Sequence, residues 1–299
     1  MLFDSVIIGH ITKDFNTDCD GVTLEQPGGA VLYSSASAYA LGHKVAAVTK
    51  LPESDKARLD ALKVDKENIF CNWCESPSIM VNVYLTPDRE RRNSTCRSVG
   101  TPFTAADLPQ AETKIYHFAG LVYGDFDGEL IKAAAQKAKV AVDVQGFLRH
   151  VNKTDGTMYF EDWADKKELL PYITYLKTDA AEAEILTGTA DRYEAAKIMH
   201  SWGAKEIVIT HNTEVLAFDG NQFYTCPIRA RNLSGRTGRG DTTFAAYICE
   251  RLNADIPSSL LTATATVSLK METPGPFGAS RKDVEEYINN FYSDIKERY

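Results

Sequence analysis

No run of about 18 apolar residues occurs anywhere in the 299 residues, so no transmembrane helix is expected. The first stretch, "MLFDSVIIGHITKDFN", lacks a basic region followed by an apolar core, so no signal peptide is expected and a cytoplasmic address follows by default. Basic runs and low-complexity tails are missing as well. Lys and Arg total 33 against 41 Asp and Glu, a formal net charge of −8, which disfavours a nucleic-acid partner. An acidic chain can still bind an anion, but it must gather positive potential locally. Cysteine is sparse: Cys19, Cys71, Cys74, Cys96, Cys226 and Cys249 lie far apart, apart from the Cys71–Cys74 pair. A structural zinc ion wants four ligands, and no second pair or histidine cluster accompanies these two, so reduced thiols in a strand are the better reading. The six histidines are scattered without any pairing suited to a metal.

What the chain does have is a rhythm of short apolar runs. "SVIIG", "KVAAVTKL", "KIYHFAGL", "KVAVDVQ", "ITYLKT" and "EIVIT" are continuous rather than alternating, as expected of parallel strands covered on both faces. Helical patterns lie between them, several closing at a glycine: Gly42, Gly188 and Gly203. This alternation predicts an α/β fold with a mostly parallel sheet flanked by helices. Two stretches break the rhythm. Gly21–Gln26 and Ser78–Ser98 alternate apolar and polar residues, which predicts a small antiparallel β appendage with a turn at Asp88–Arg92. Val215–Ile228 reads as a hairpin turning at Asp219–Asn221. One domain, residues 1–299, is expected, with the appendage drawn from about 11–26 and 78–98.

Between Ser234 and Leu252 the chain reads "SGRTGRGDTTFAAYICERL". Gly238 and Gly240 stand ahead of a helical pattern. There, successive backbone N–H groups can converge and the helix N-terminus adds partial positive charge. Such a nest suits a phosphate, or an oxyanion formed in phosphoryl transfer. It is not a Walker A loop, because the spacing differs and no Lys-Ser/Thr follows. On this local pattern alone, Asp241 reads as an acid complementing the helix dipole.

Gly238-Arg-Gly-Asp241 with Thr242-Thr-Phe244 resembles the C-terminal signature of the ribokinase-like (PfkB-type) carbohydrate kinases, usually Asp-Thr-Thr-Gly-Ala-Gly-Asp-x-Phe. The resemblance covers most of the chain. "IGHITKDF" is similar to the family's first strand and substrate-binding acid. Pro27–Leu51 resembles the Gly-Gly signature with its helix and next strand. "FAGLVYGDF", "VDVQGFLRH", "LKTDAAEAEILTG" and "SLKMETPGPFG" then follow in order. The resemblance implies a doubly wound mostly parallel sheet with a small β-sheet lid. It also implies transfer of a phosphoryl group from ATP, with Mg2+, onto a hydroxyl of a small sugar or cyclitol.

Carried over residue by residue, Asp241 is the general base, and the N–H groups of Gly238, Arg239 and Gly240 form an anion hole. Asp14, Gly28 and Gly29 meet substrate hydroxyls, a carboxylate being able to accept two of them. Asp179 and Thr210 fall on the nucleotide side with Gly238 and Gly240, and Glu182 acts through water on the magnesium. The resemblance leaves open whether a monovalent cation takes part. Tyr33 and Arg149 are further substrate-side candidates, Arg149 and Gln145 lying just beyond a strand, where open α/β sheets place their sites. Arg89, Arg91 and Arg92 read as a solvated lid turn.

Several positions depart from the family pattern. Arg239 replaces an alanine, Gly235-Arg236 replaces the opening Asp-Thr, and Tyr33 stands where an asparagine is common. Thr210-His-Asn-Thr-Glu-Val215 lacks both nucleotide-side glycines. A nucleoside kinase with Tyr33 stacked on the base, and a non-catalytic sugar-binding member, are the alternatives. Exposed lid edges invite a homodimer through the lid.

Overall fold

The computed structural model describes residues 1–86 and 91–296. Of the turn expected at Asp88–Arg92, residues 88–90 lie outside the described residues, Arg89 among them.

The larger sheet has nine strands in the order β15-β14-β13-β12-β9-β8-β1-β4-β5. Seven run parallel: β1 (Leu2–Ile8), β4 (Val45–Leu51), β5 (Ile69–Trp73), β8 (Glu112–Phe118), β9 (Lys139–Asp143), β12 (Tyr175–Asp179) and β13 (Glu206–Thr210). The hairpin β14 (Glu214–Phe218) and β15 (Phe223–Pro227) adds an antiparallel edge. Its turn is held by the Asp219 carboxylate, which accepts from the N–H groups of Asn221 and Gln222 at 2.8 and 2.7 Å. The central runs are apolar throughout because both faces are covered. Ile7 packs with the helices at Ala30–Ala40, Arg239–Glu250 and Ile256–Lys270. Its neighbours Val6 and Ile8 pack instead with those at Gly128–Ala135, Ala180–Thr187 and Arg192–Ser201. Each fully buried strand side chain of this size contributes about 1.5–3 kcal/mol.

The lid is a second sheet of four strands in the order β3-β2-β6-β7, made of β2 (Thr12–Thr17), β3 (Thr23–Gly28), β6 (Ile79–Tyr84) and β7 (Arg92–Ser98). The expected antiparallel pattern holds for β2–β3 and β6–β7, but β2 pairs with β6 in parallel. A short ribbon, β10 (Arg149–Val151) with β11 (Met158–Phe160), completes the strands. Cys71 lies in β5, and all six cysteines are free thiols. Among the described residues no helix is long and apolar enough to cross a membrane.

The helix Ala30–Ala40 is built from small residues, "AVLYSSASAYA", and is buried from Ala30 to Ala38. Small side chains let it lie close against the helix Arg239–Glu250. There Ser37 Oγ donates to the Thr242 carbonyl at 2.9 Å, and Ser34 Oγ to the Asp241 carbonyl at 3.4 Å. The two segments carrying the Gly-Gly and Gly-x-Gly-Asp patterns, some 200 residues apart, are thereby bolted together.

Candidate active site

A cleft of about 1330 Å³ lies between the lid and the carboxyl ends of β9, β12 and β13, the place where open α/β sheets bind ligands. Asp14, Gly29, Tyr33, Arg149, Asp179, Glu182, Thr210, Gly238, Arg239, Gly240 and Asp241 all line it. The structure thus brings together nearly every residue singled out from the sequence, with Gly28 directly behind.

On the lid side, Asp14 projects from β2 and accepts a hydrogen bond from Thr12 Oγ1. Burial raises its pKa, against the pull of that bond and of the Arg92, Arg149 and Arg58 charges. A Cβ on Gly28 would stand 2.1 Å from an Asp14 carboxylate oxygen, so only glycine leaves that carboxylate its place. Gly29 has φ 101°, and a Cβ there would meet the His10 carbonyl at 2.1 Å. Beside Asp14 the lid sheet carries a run of uncharged polar side chains. Asn82 Nδ2 donates to Asn16 Oδ1 at 2.9 Å, Asn16 Nδ2 to Gln26 Oε1 at 3.2 Å, and Ser94 Oγ to Asn82 Oδ1 at 2.6 Å. Arg92, expected in a solvated turn, is exposed, but it opens β7 at the rim of the cleft. Arg149 is held by a bond from Nε to the Leu121 carbonyl at 2.7 Å, and Gln145 Nε2 reaches the Gly120 carbonyl at 3.4 Å.

On the opposite side, the helix Arg239–Glu250 begins after Gly238, whose φ of 77° is left-handed. A Cβ at Gly238 would overlap the Tyr33 ring at 2.1 Å, so Tyr33 is a wedge under the loop. The first N–H groups of any helix lack intrahelical partners, and here they open on the cleft. Arg239 is partly buried, which lowers its pKa together with the nearby Arg236 charge, and its guanidinium donates to Asn212 Oδ1 at 2.8 Å.

Beneath the loop lies a buried charge cluster that the sequence reading passed over. Lys177 Nζ sits 3.0 Å from Asp143 and 3.6 Å from Glu182, all three side chains being almost fully buried. A Cβ on Gly240 would be 3.1 Å from that Nζ. Burial opposes the lysine's charge, but Asp143 and Glu182 more than offset this and leave its pKa above the usual value. Glu182 is not an exposed helix acid. It closes a capping box, its Oε2 accepting from Asp179 N at 2.7 Å while Asp179 Oδ1 accepts from Glu182 N at 2.8 Å. Aspartate therefore serves at position 179 as well as asparagine would, since either caps the helix. Burial pushes Glu182 up to about 7. Asp241 is likewise raised to about 7, by burial and the Asp143 charge, against the opposing charges of Lys177, Arg149 and Lys270.

Asp143 and Lys177 could have been suspected as isolated charges inside apolar strand runs, where a buried charge needs a partner. Among the described residues no group of three or more His, Cys, Asp or Glu is placed to hold a metal ion. The acids that are present suit magnesium in the other way it is usually held, by one or two carboxylates with water and the substrate's own phosphates, Glu182 and Asp179 being the candidates. A monovalent metal ion fits less well, because Lys270 Nζ already donates to the Gly235 and Thr237 carbonyls of the loop.

A hydroxyl-rich molecule suits the lid side, a polyanion suits the loop, and a carboxylate with a pKa near neutrality stands at the loop's end. Comparison with known proteins agrees with this arrangement. The pfkB family carbohydrate kinase pattern matches residues 4–282. A solved structure described as a pyrophosphate-dependent kinase in the ribokinase family, complexed with a pyrophosphate analogue and myo-inositol, is 34% identical. It superposes with a TM-score of 0.83 over 94% of this chain and 99% of that one. Another, 33% identical with a TM-score of 0.83 over 96% and 99%, is described as a pyrophosphate-dependent myo-inositol-1 kinase converted into a myo-inositol-3 kinase by replacing one asparagine and one serine with leucine. A cytidine kinase of Thermococcus kodakarensis is 25% identical over 257 residues, 83% of this chain and 88% of its own length. The match along nearly the whole chain, on a cleft that holds the matching residues together, establishes that the protein is a phosphotransferase belonging to the pfkB family of carbohydrate kinases.

Proposed function

We propose that the protein phosphorylates a hydroxyl of a cyclitol of the inositol type, with Asp241 as general base and pyrophosphate as the preferred donor. The observation that carries the acceptor is the lid side of the cleft, where Asn16, Gln26, Asn82 and Ser94 form a hydrogen-bonded polar wall beside Asp14. A molecule with hydroxyls around its whole rim is the acceptor that can satisfy such a wall. An aromatic base offers this wall few hydrogen-bonding groups of its own.

In this reading Asp14 accepts hydrogen bonds from acceptor hydroxyls. Asp241 takes the proton of the attacking hydroxyl as its oxygen bonds to phosphorus. The bond from phosphorus to the bridging oxygen breaks, and orthophosphate leaves. The N–H groups of Gly238, Arg239 and Gly240 stabilise the charge on the transferred group. Magnesium, when bound with the donor through Glu182 and water, would neutralise donor charge.

Pyrophosphate is favoured over ATP by the loop's departures from the family pattern. Arg236 and Arg239 add two cations where the usual residues, threonine and alanine, are uncharged. Arg239 also reaches Asn212, in the β13–β14 turn that lacks the nucleotide-side glycines. ATP, the donor the family resemblance implied, is the second reading.

Two substitutions separate the halves of this proposal. Asp14→Ala should weaken inositol binding in calorimetry by about 1.5–3 kcal/mol while leaving pyrophosphate binding intact. Unchanged inositol affinity in the folded variant would remove Asp14 from the acceptor site. Arg239→Ala should raise the KM for pyrophosphate by roughly tenfold or more, the loss of one charged hydrogen bond, and leave the inositol KM unaltered. Identical kinetics with pyrophosphate and with ATP, before and after the substitution, would place the Arg239 side chain outside the donor site.

A further inference from the structure

Lys270 closes the helix Ile256–Lys270 and is only 2% exposed. Its ammonium donates to two neutral acceptors, the backbone carbonyls of Gly235 and Thr237, and lies 5.3 Å from the centre of the Tyr33 ring. Backbone carbonyls together with an aromatic face are what a bare potassium ion accepts in place of water. The loop is otherwise pressed onto the end of the same helix. Gly235 N donates to the Met271 carbonyl at 2.7 Å and Ser234 Oγ to the Glu272 carbonyl at 2.8 Å. A Cβ at residue 235 would lie 1.9 Å from the Thr273 carbonyl oxygen, which accounts for the glycine where the family pattern has an acid. A side chain that gathers two carbonyls of the loop leading into the anion hole fixes the direction in which the following N–H groups point.

We propose that Lys270 is a built-in monovalent cation. Its ammonium holds the Gly235 and Thr237 carbonyls as a potassium ion would, so that residues 238–240 face the donor, and the protein needs no potassium or sodium for turnover. The role is one of positioning, and it rests on the phosphotransfer reading of the loop. Burial lowers the lysine's pKa to about 8, with the Asp241 charge pulling the other way, so the ammonium form prevails at neutral pH.

The test uses the intact protein in chlorides of potassium, ammonium and tetramethylammonium at equal ionic strength, the last cation being too large for the site. For the native chain, melting temperature and turnover should be the same in all three salts. In Lys270→Met, which keeps the length of the side chain and removes the charge, turnover should fall by about tenfold or more, as when an oxyanion donor is misplaced. Potassium or ammonium should restore part of that turnover and raise the variant's melting temperature, and tetramethylammonium should do neither. Saturable activation of the native chain by potassium would overturn the proposal, as would a folded Met variant that ignores every cation. Should the variant fail to fold, the native-chain comparison still decides. The melting measurements need no substrate, so they stand even where the assigned acceptor or donor is wrong.

Discussion

Asp241→Asn should fold as the native chain does and lose roughly 10²–10⁴ in turnover, the usual effect of removing a general base. Asparagine matches the carboxylate in shape and suits a helix start about as well, so neither the loop nor the Ser34 contact to the backbone carbonyl of residue 241 should be disturbed. Acceptor affinity should be nearly retained. The charges facing Asp241 come from β9, β12, the Arg149 ribbon and the helix ending at Lys270. Burial and Asp143 raise its pKa, Lys177, Arg149 and Lys270 oppose them, and the balance is a pKa of about 7. A base works only when deprotonated. Native kcat/KM should therefore climb about tenfold per pH unit up to roughly pH 7 and then level. Glu182, raised to about 7 by the same burial, titrates in the same range, so the limb belongs to the pair of acids. The asparagine variant separates them: the part of the limb due to Asp241 should vanish from its residual activity. A variant with native turnover and an unaltered pH profile would leave Asp241 as a helix-start acid and nothing more.

Lys177→Met should be the most destabilising single change in the cleft. Methionine fills the same volume, but Asp143 and Glu182 are left almost wholly buried without the ammonium that pairs with both. Removing one partner of a buried ion pair costs about 3–5 kcal/mol, because the remaining charge is uncompensated. The expected pH dependence follows from the direction of the shifts. Carboxylates whose folded pKa lies above the unfolded value stabilise the fold when protonated and lose that contribution as pH rises through the folded pKa. Urea titrations should thus show a large deficit near about pH 8 that shrinks towards about pH 6, where Glu182 takes up a proton. Turnover should fall too, since Nζ lies directly under Gly240 in the anion loop. A deficit of equal size at both pH values would mean that lost packing, not stranded charge, is responsible.

The difference between what was legible in the sequence and what was not has a physical origin. Continuous apolar runs such as those of β1, β4 and β13 announce strands covered on both faces. The alternation in Ser78–Ser98 announced the lid because one of its faces meets the cleft. Asp241 and Asp14 could be found because each sits in a local pattern. Asp143 and Lys177 stood out only as charges inside apolar runs, and neither their pairing nor that of Lys270 with the loop was legible, because Asp143 lies 34 residues from Lys177 and Gly235 lies 35 from Lys270. The same holds for the Asn16–Asn82–Ser94 chain, which depends on β2 lying beside β6 in parallel, a pairing that alternation alone does not reveal. From the sequence alone, Arg239 stood equally as a ligand of the donor phosphates or as a solvated loop charge. Its contact with Asn212 depends on the β13–β14 turn folding over the helix start.

Phosphorus NMR of the native protein incubated with myo-inositol and magnesium, with pyrophosphate in one sample and ATP in the other, tests the assigned reaction most directly. The account predicts a new phosphomonoester resonance in both the position and the coupling expected of an inositol phosphate, growing with orthophosphate and faster from pyrophosphate than from ATP. Phosphorylation of nucleosides but of no inositol or sugar, from either donor, would contradict it.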